Sequence, residues 1–229
     1  SAERPPTKKK KKAKAALKGF FANQFENLAN YRSHYHGTGR EIVEACRARG
    51  CATIDAFVAA AGTGGTISGC AAALRESPEG ALAKVFLMDP PGSSLYNKVR
   101  HNLMFNPVER EGKRLRNPSD TITEGIGINR LTANMNEGLS FIDDAFQGSD
   151  QDAVSMSQYI LENDGLFLGS SSAMNLVGAV KVCRQLGPGK TVVTILCDGG
   201  QRYVTKLYDR DFLAKNKLDM DMKLDIEKL

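Results

Sequence analysis

The sequence predicts an α/β fold with a mainly parallel, twisted sheet and helices on both faces. Apolar runs of strand length at 54–60, 84–88 and 191–196 alternate with segments of helical periodicity. Apolar runs without polar alternation are typical of strands buried on both faces of a parallel sheet. Strands that alternate with helices are usually joined by helical crossovers, so this order favours parallel pairing with a helix layer on each side.

The first half of the chain surrounds a glycine-rich turn. Thr38-Gly-Arg-Glu41 has the form of a capping box and predicts a helix from there through Arg49. The apolar run 54–60 predicts a buried strand, and the sequence Gly62-Thr-Gly-Gly-Thr66, called the glycine turn below, follows it directly. A helix is expected from the glycine turn through Arg75. This stretch is therefore predicted to be a strand, a tight turn and a helix in succession.

The middle of the chain contains a second buried strand and a charged stretch. Residues 84–88 predict the strand, whereas residues 92–123 are charged and less regular and predict a surface excursion. Helical spacing follows over 152–162. A longer helix is expected over 170–186, capped by one of its first two serines.

The end of the chain predicts a strand over 191–196, a final helix over 202–212 and a charged tail over 213–229. In the tail, apolar residues alternate with charged ones, namely Leu218, Met220, Met222, Leu224 and Ile226. This period of two predicts an edge or intersubunit strand, with a frayed tail as the alternative.

The positive charge of the chain is concentrated in its first 19 residues. The whole chain has 31 Lys and Arg against 26 Asp and Glu, a net charge of +5, yet residues 1–19 alone carry +7 and the remaining 210 residues −2. Residues 1–19 are predicted to be a lysine-rich disordered leader, with residues 20–212 as the folded domain. The acidic body argues against a nucleic-acid partner. A nuclear-import signal, an arm for nucleic acid or anionic membrane, and a presequence remnant stay open for the leader.

Cysteine and histidine usage indicates neither disulfides nor a metal site. The five cysteines are scattered and odd in number, which favours free thiols in a reducing compartment. His34 and His36 point to different faces of a helix, so they do not form a ligand pair. No apolar run reaches the roughly 20 residues that span a bilayer, and no signal-peptide core is present. A cytoplasmic or mitochondrial location without a membrane partner is expected.

The glycine turn has the composition of an anion-binding site. It places four to five backbone N–H groups at a helix N-terminus, where glycines allow close approach and the hydroxyls of Thr63 and Thr66 add donors. A phosphate dianion is the expected ligand, and a tight turn without a ligand is the alternative. Nucleotide motifs fit poorly, because Ile67 stands where the dinucleotide fingerprint requires glycine and Arg184 where a P-loop would begin.

Six segments in order resemble the cysteine synthase/cystathionine β-synthase family of fold-type II pyridoxal-phosphate enzymes. They are Gln24-Phe-Glu-Asn-Leu-Ala-Asn30, Gly37-Thr-Gly-Arg-Glu-Ile42, the glycine turn, Gly125-Ile-Gly127, Gly169-Ser-Ser-Ser-Ala173 and Ile195-Leu-Cys-Asp-Gly-Gly-Gln-Arg-Tyr203. Residues 95–99 and 124–130 look similar to a fungal-type branch of this family, which includes mitochondrial members. The resemblance covers the large C-terminal domain of the fold and leaves it incomplete.

The resemblance implies a cofactor, a reaction and a role for each matched residue. Pyridoxal 5′-phosphate would bind through its phosphate to Gly62, Thr63, Gly64, Gly65 and Thr66. Gln24 would hold the amino-acid carboxylate or the ring oxygen, and Gly125 would line the substrate side. Family members replace the β-substituent of an O-activated serine by sulfide or a thiol, so the partner is a small amino-acid substrate, and they are commonly homodimers.

Two departures from the family pattern limit what this chain is expected to do alone. The lysine that carries the cofactor lies, in the family, in an N-terminal region ahead of the segment matched by Gln24, and none of the lysines in this chain is expected to take its place. Gly199 stands where the family places a serine or threonine that donates to the pyridine nitrogen; Asp198 could substitute, although a surface or capping aspartate is preferred. A fragment of a longer product, a partner of a separate N-terminal half, and a catalytically inactive pseudoenzyme or assembly subunit all remain open. A fragment is expected to expose apolar surface.

Overall fold

A computed structural model describes residues 19–105, 121–226 and 229 of the chain. The predicted leader, apart from Gly19, and much of the charged excursion lie outside these ranges. In the described part the strands are β1 (Ala56–Ala60), β2 (Lys84–Asp89), β3 (Asp144–Gln147) and β4 (Val192–Thr194). They form one sheet in the order β3-β2-β1-β4, in which each neighbouring pair is parallel. The prediction of a parallel sheet is confirmed.

Helices cover both faces of this sheet. They are α1 (Ala29–His36), α2 (Thr38–Ala48), α3 (Gly65–Arg75), α4 (Leu95–His101), α5 (Ala133–Gly138), α6 (Asp150–Asp164), α7 (Ser170–Leu186) and α8 (Arg210–Lys215). Helix α3 packs with Phe57 and Leu87 on one face, whereas α7 packs with Val58 and Phe86 on the other. Adjacent strand residues point to opposite faces, so the uniformly apolar runs are explained by burial on both sides.

The capping box predicted at Thr38 is wrong. Thr38 is the first residue inside α2, which follows Gly37, and no side chain caps this helix. The Thr38 hydroxyl instead lies 3.0 Å from Nδ1 of His34. Helix α7 likewise begins after Gly169 and not after a capping serine. The capping box that the described residues do contain is formed by Ser149 and Asp152 at the start of α6.

The C-terminal region differs most from its prediction. The helix predicted over 202–212 is replaced by a 3₁₀ turn at Gly200–Tyr203, further turns and the short α8, whose N-cap Asp209 accepts from the backbone N–H of Phe212 at 2.7 Å. The predicted strand in the tail is absent from residues 213–226. Its apolar residues pack instead onto the domain, Leu218 beside the cluster around Tyr203 and Leu224 beside the opposite face of the sheet. Tertiary packing therefore overrides the local alternation.

The sequence did not predict two short elements that bury few residues. Helix α4 lies inside the predicted excursion and buries Leu95 alone, and strand β3 has one buried residue, Ala145. Such elements carry too few apolar positions for a periodicity to appear. No helix in the described part of the chain is long and apolar enough to cross a bilayer.

Asp89 ends β2 with a completely buried side chain. The backbone N–H of Tyr96 donates to Oδ2 at 2.8 Å, whereas Oδ1 has no hydrogen-bond partner among the described residues. Burial raises the pKa of Asp89 to about 7. Because the pKa of Asp89 is higher in the folded state than in the unfolded chain, its contribution to stability is fully present below the unfolded-state pKa. This contribution is lost as the pH rises through the folded-state pKa.

Replacing Asp89 with asparagine is therefore expected to stabilise the protein at high pH. Asparagine keeps an acceptor for Tyr96 but cannot ionise. The unfolding free energy of the variant, minus that of the unchanged protein, should therefore increase by about 2–3 kcal/mol from pH 5 to pH 9. Urea unfolding at these two pH values measures the difference. A gap between the two proteins that stays constant with pH would contradict the prediction.

Candidate functional site

A cleft of about 700 Å³ opens beyond the carboxyl ends of β1 and β4. Its walls are residues 24–25, the glycine turn, residues 124–128, and the stretch 195–203 with the start of α7. The chain proceeds from β1 through α3 to β2 on one side, whereas β4 joins β1 on the other side after α7. The cleft thus lies at the point where the strand order reverses, which is the usual ligand position in open parallel sheets.

The glycines of the glycine turn leave no room for a Cβ. Gly64 has φ +86° and precedes α3 directly, and a Cβ there would lie 2.6 Å from Cβ of Met135. A Cβ on Gly62 would overlap the carbonyl oxygen of Gly125, which packs against the turn. The first N–H groups of α3 have no carbonyl one turn earlier to bind. The backbone can therefore approach a ligand closely and offer it several donors.

Polar side chains hold the glycine turn from outside the cleft. Asn30 donates from Nδ2 to the Thr63 hydroxyl at 2.8 Å, and the Thr132 hydroxyl donates to the Thr63 carbonyl at 2.6 Å. Because the Thr63 hydroxyl accepts from Asn30, its own proton is available to a ligand. Thr132 was not predicted as a site residue.

Buried Asn175 joins the two strands that border the cleft. Its Oδ1 accepts from the Ala60 N–H at 2.7 Å and its Nδ2 donates to the Ile195 carbonyl at 2.8 Å. Sequence reasoning missed Asn175. The available signal was an asparagine inside the otherwise small and apolar helix pattern of 170–186, where a buried amide requires partners.

Gln24 reaches the cleft from a turn ahead of α1. Its carbonyl accepts from Nδ2 of Asn134 at 3.1 Å, and Asn134 also donates to the Phe25 carbonyl at 2.7 Å. Gly125 has φ +80°, its carbonyl lies against Gly62 of the glycine turn, and the Gly127 N–H donates to the Ala61 carbonyl at 2.9 Å. The structure therefore brings Gln24, Gly125 and the glycine turn to one site.

Two predicted site residues do not line the cleft. Gly65 starts α3, and a Cβ on it would overlap the side chain of Asn30. Gly199 forms a β-bridge with Leu168. The residue beside it, Asp198, does line the cleft.

Asp198 is neither the surface nor the capping residue that the sequence favoured. Its Oδ2 accepts from the Tyr203 hydroxyl at 2.8 Å, and its buried Oδ1 has no hydrogen-bond partner within the described ranges. Desolvation, followed by this bond to Asp198, raises the pKa of Tyr203 to about 12. The ring hydroxyl therefore stays protonated and acts as a donor at neutral pH.

These features fit a phosphorylated cofactor. The crowded glycine turn and the N-terminus of α3 suit a phosphate dianion. Asp198 lines the same cleft, and its Oδ1 has no hydrogen-bond partner among the described residues. None of the described lysines lines the cleft, and Arg202 is the cation that does.

Comparison with known proteins agrees with this site. Residues 4–198 match the family model described as pyridoxal-phosphate dependent enzyme. The chain is 49% identical over 201 residues to cysteine synthase 2 of Schizosaccharomyces pombe, covering 88% of this chain and 49% of that protein. It is 46% identical over 195 residues to the cysteine synthase of Dictyostelium discoideum, covering 85% and 49%. The chain thus spans about half the length of the curated relatives it matches.

Solved structures show the same fold. An O-acetylserine dependent cystathionine β-synthase from Helicobacter pylori superposes with a TM-score of 0.64 at 31% identity, covering 80% of this chain and 51% of that one. A hydrogen sulfide-producing enzyme superposes with a TM-score of 0.67 at 28% identity, covering 90% and 53%. The matched fold, the cleft at the strand-order reversal and the family model together show that this chain belongs to the pyridoxal-phosphate dependent enzymes, in the cysteine synthase/cystathionine β-synthase family.

Proposed function

We propose that this chain is the cofactor-binding part of a cysteine synthase that replaces the β-substituent of an O-activated serine by sulfide or a thiol. The observation that carries the proposal is the glycine turn, which lines one cleft together with Gln24 and Gly125. Relatives named cysteine synthase at 46–49% identity support the same reaction. They do not favour the alternative of an inactive pseudoenzyme or assembly subunit.

We assign the phosphate of pyridoxal 5′-phosphate to Gly62, Thr63, Gly64, Gly65 and Thr66. The N–H groups at the start of α3 and the two threonine hydroxyls would donate to it. When bound, the cofactor supplies an electron sink for the α-carbon of the amino-acid substrate. Since glycines and dipoles provide the site, the phosphate needs no cation from this turn.

Substrate and ring positions complete the assignment. The Gln24 amide would donate to the substrate carboxylate, and Gly125 would leave space for the substrate on the facing wall. Gly199 has no hydroxyl for the ring nitrogen, and neighbouring Asp198 has the unpaired buried oxygen. We therefore assign the ring side of the cleft to residues 198–199.

The lysine that completes the reaction is proposed to come from a segment outside this sequence, preceding it or in a partner chain. Among the described residues β4 pairs with β1 alone, so one of its edges has free hydrogen-bonding groups. Two residues beyond the end of this strand, Leu196 is 48% exposed. A further segment of the same enzyme would cover this edge. A homodimer and a cytoplasmic or mitochondrial location belong to the same proposal.

The experiment is an assay of the complete gene product that contains this chain. Purified protein should carry the absorbance of pyridoxal phosphate and form cysteine only when O-acetylserine and sulfide are both present. Inorganic phosphate should compete with cofactor reloading of the stripped protein. A cofactor-loaded, complete protein that forms no cysteine or thioether with any O-activated serine would overturn the reaction and favour the pseudoenzyme.

A further inference from the structure

His34 lies where three helices meet behind the glycine turn. It stands near the end of α1, half-buried, with Nδ1 3.0 Å from the Thr38 hydroxyl of α2 and Nε2 3.2 Å from the Thr66 hydroxyl of α3. Helix α1 packs tightly on α3 at Gly69, where an added Cβ would lie 2.8 Å from Cβ of His34. The imidazole is therefore positioned by helix packing and not by a flexible loop.

Thr66 connects this histidine to the cleft. Thr66 lines the cleft, whereas His34 does not. A hydroxyl has one proton and two lone pairs, so the role of the Thr66 hydroxyl towards a ligand depends on what His34 does with its own ring nitrogen. If Thr66 donates to Nε2, only a lone pair is left for the cleft. If Nε2–H donates to Thr66, the hydroxyl proton is free for an anion.

The direction of the hydrogen bond between Thr38 and His34 sets which of these two arrangements forms. A neutral imidazole has one donor nitrogen and one acceptor nitrogen. When the Thr38 hydroxyl donates to Nδ1, the proton of the ring must reside on Nε2. Burial lowers the pKa of His34, which favours this neutral ring. The chain of donors then runs from Thr38 through His34 to Thr66 and into the cleft.

We propose that His34 is a positioning residue for phosphate binding: its Nε2–H holds the Thr66 hydroxyl with the proton directed at the phosphate. This inference rests on the proposed function, because it takes the glycine turn to be the phosphate site. It adds a residue outside the cleft that sets the polarity of a donor inside it. Its effect on binding must therefore pass through Thr66.

Pyridoxine 5′-phosphate is the probe for the test. It carries an alcohol in place of the aldehyde, so it cannot condense with the lysines of the chain, and phosphorus NMR of the full chain gives its affinity. His34→Leu, which keeps the volume and removes both ring nitrogens, should weaken binding about tenfold, as loss of one hydrogen bond does. His34→Gln retains an amide donor and should restore affinity to within about threefold.

His36 provides the matched control on the same helix. It is exposed, and Tyr35 is the aromatic ring that it contacts in the described part of the chain. His36→Leu should therefore leave the affinity for pyridoxine 5′-phosphate unchanged. An equal loss in the His34 and His36 variants would overturn the inference, since it would indicate a general effect on α1.

A double-substitution cycle tests whether His34 acts through Thr66. Thr66→Val removes the hydroxyl, so adding His34→Leu to it should cost no further affinity. A tenfold loss that persists in the Thr66→Val background would show a merely structural role and overturn the inference. Nitrogen-15 NMR of the unchanged chain adds a test that needs no variant: with the probe bound the Nε2–H tautomer is expected, and the Nδ1–H tautomer would overturn the inference.

Failure of the proposed function has a different signature. If the unchanged chain binds neither pyridoxine 5′-phosphate nor inorganic phosphate, the phosphate site is wrong and this inference falls with it. Binding that is indifferent to His34 overturns the inference alone.

Discussion

Replacing Gly64 with alanine is expected to destabilise the protein by about 2–5 kcal/mol and to abolish measurable phosphate binding. Gly64 has φ +86°, which an alanine adopts only with strain, and the new Cβ would lie 2.6 Å from Cβ and 2.7 Å from Cα of Met135. Helix α5 would have to move away from the glycine turn to relieve this contact. Urea unfolding and titration with inorganic phosphate measure the two effects.

Gly50 supplies the control for the backbone part of this prediction. It has φ +70° with no atom within 4 Å of an added Cβ. Gly50→Ala should therefore cost only the strain of the left-handed conformation, about 1–2 kcal/mol, and leave phosphate binding unchanged. Equal destabilisation by the two substitutions would show that the contact between Gly64 and Met135 contributes nothing.

Replacing Asn134 with leucine is expected to destabilise the protein by about 2–4 kcal/mol, since it removes a buried amide and leaves four part-buried backbone groups without this partner. Asn134 is completely buried, and its Oδ1 accepts from the Tyr31 N–H at 3.0 Å. Its Nδ2 donates to the carbonyls of Gln24, Phe25 and Asn27. The substitution should thus release the segment that brings Gln24 to the cleft.

Urea unfolding measures the loss of stability, and hydrogen exchange measures the release. Faster exchange is expected for the amides of residues 24–31, with little change in β1. Asn163→Leu is the control, because Asn163 is exposed on α6 and its side chain donates to the Tyr159 carbonyl of its own helix. That change should stay within about 0.5 kcal/mol. A loss of stability at Asn134 as small as at Asn163 would contradict the prediction.

Gly64→Ala and Asn134→Leu are both expected to lower stability, but they should affect the binding of different ligands in the same cleft. Gly64 is part of the glycine turn itself, whereas Asn134 on α5 hydrogen-bonds the backbone of the segment that contains Gln24. If Gln24 contacts the substrate as proposed, Asn134→Leu in the complete enzyme should weaken binding of the amino-acid substrate more than binding of the cofactor phosphate. The two changes would then report on two walls of one cleft.

Local patterns were sufficient to predict the strand, the glycine turn and the helix that begins at Gly65. Their signals are contained in adjacent residues: an apolar run long enough for a buried strand, and glycines spaced for a tight turn before a helix. The family resemblance, and no local pattern, singled out Gln24 and Gly125, which both line the cleft. The structure brings these residues together because the motifs follow strand ends or precede helices at the same edge of the sheet.

The polar framework behind that site was decided by tertiary packing alone. Asn134 and Phe25 are 109 positions apart, and Asn175 and Ala60 are 115 apart, so no local period connects them. Thr38 shows a different limit, because its hydroxyl matched a capping motif yet bonds to His34, four residues earlier on the preceding helix. A side-chain donor or acceptor binds whichever group the packed helices bring within about 3 Å. Residue spacing along the chain determines which backbone forms a turn, but only the packed structure determines which side chains hold it.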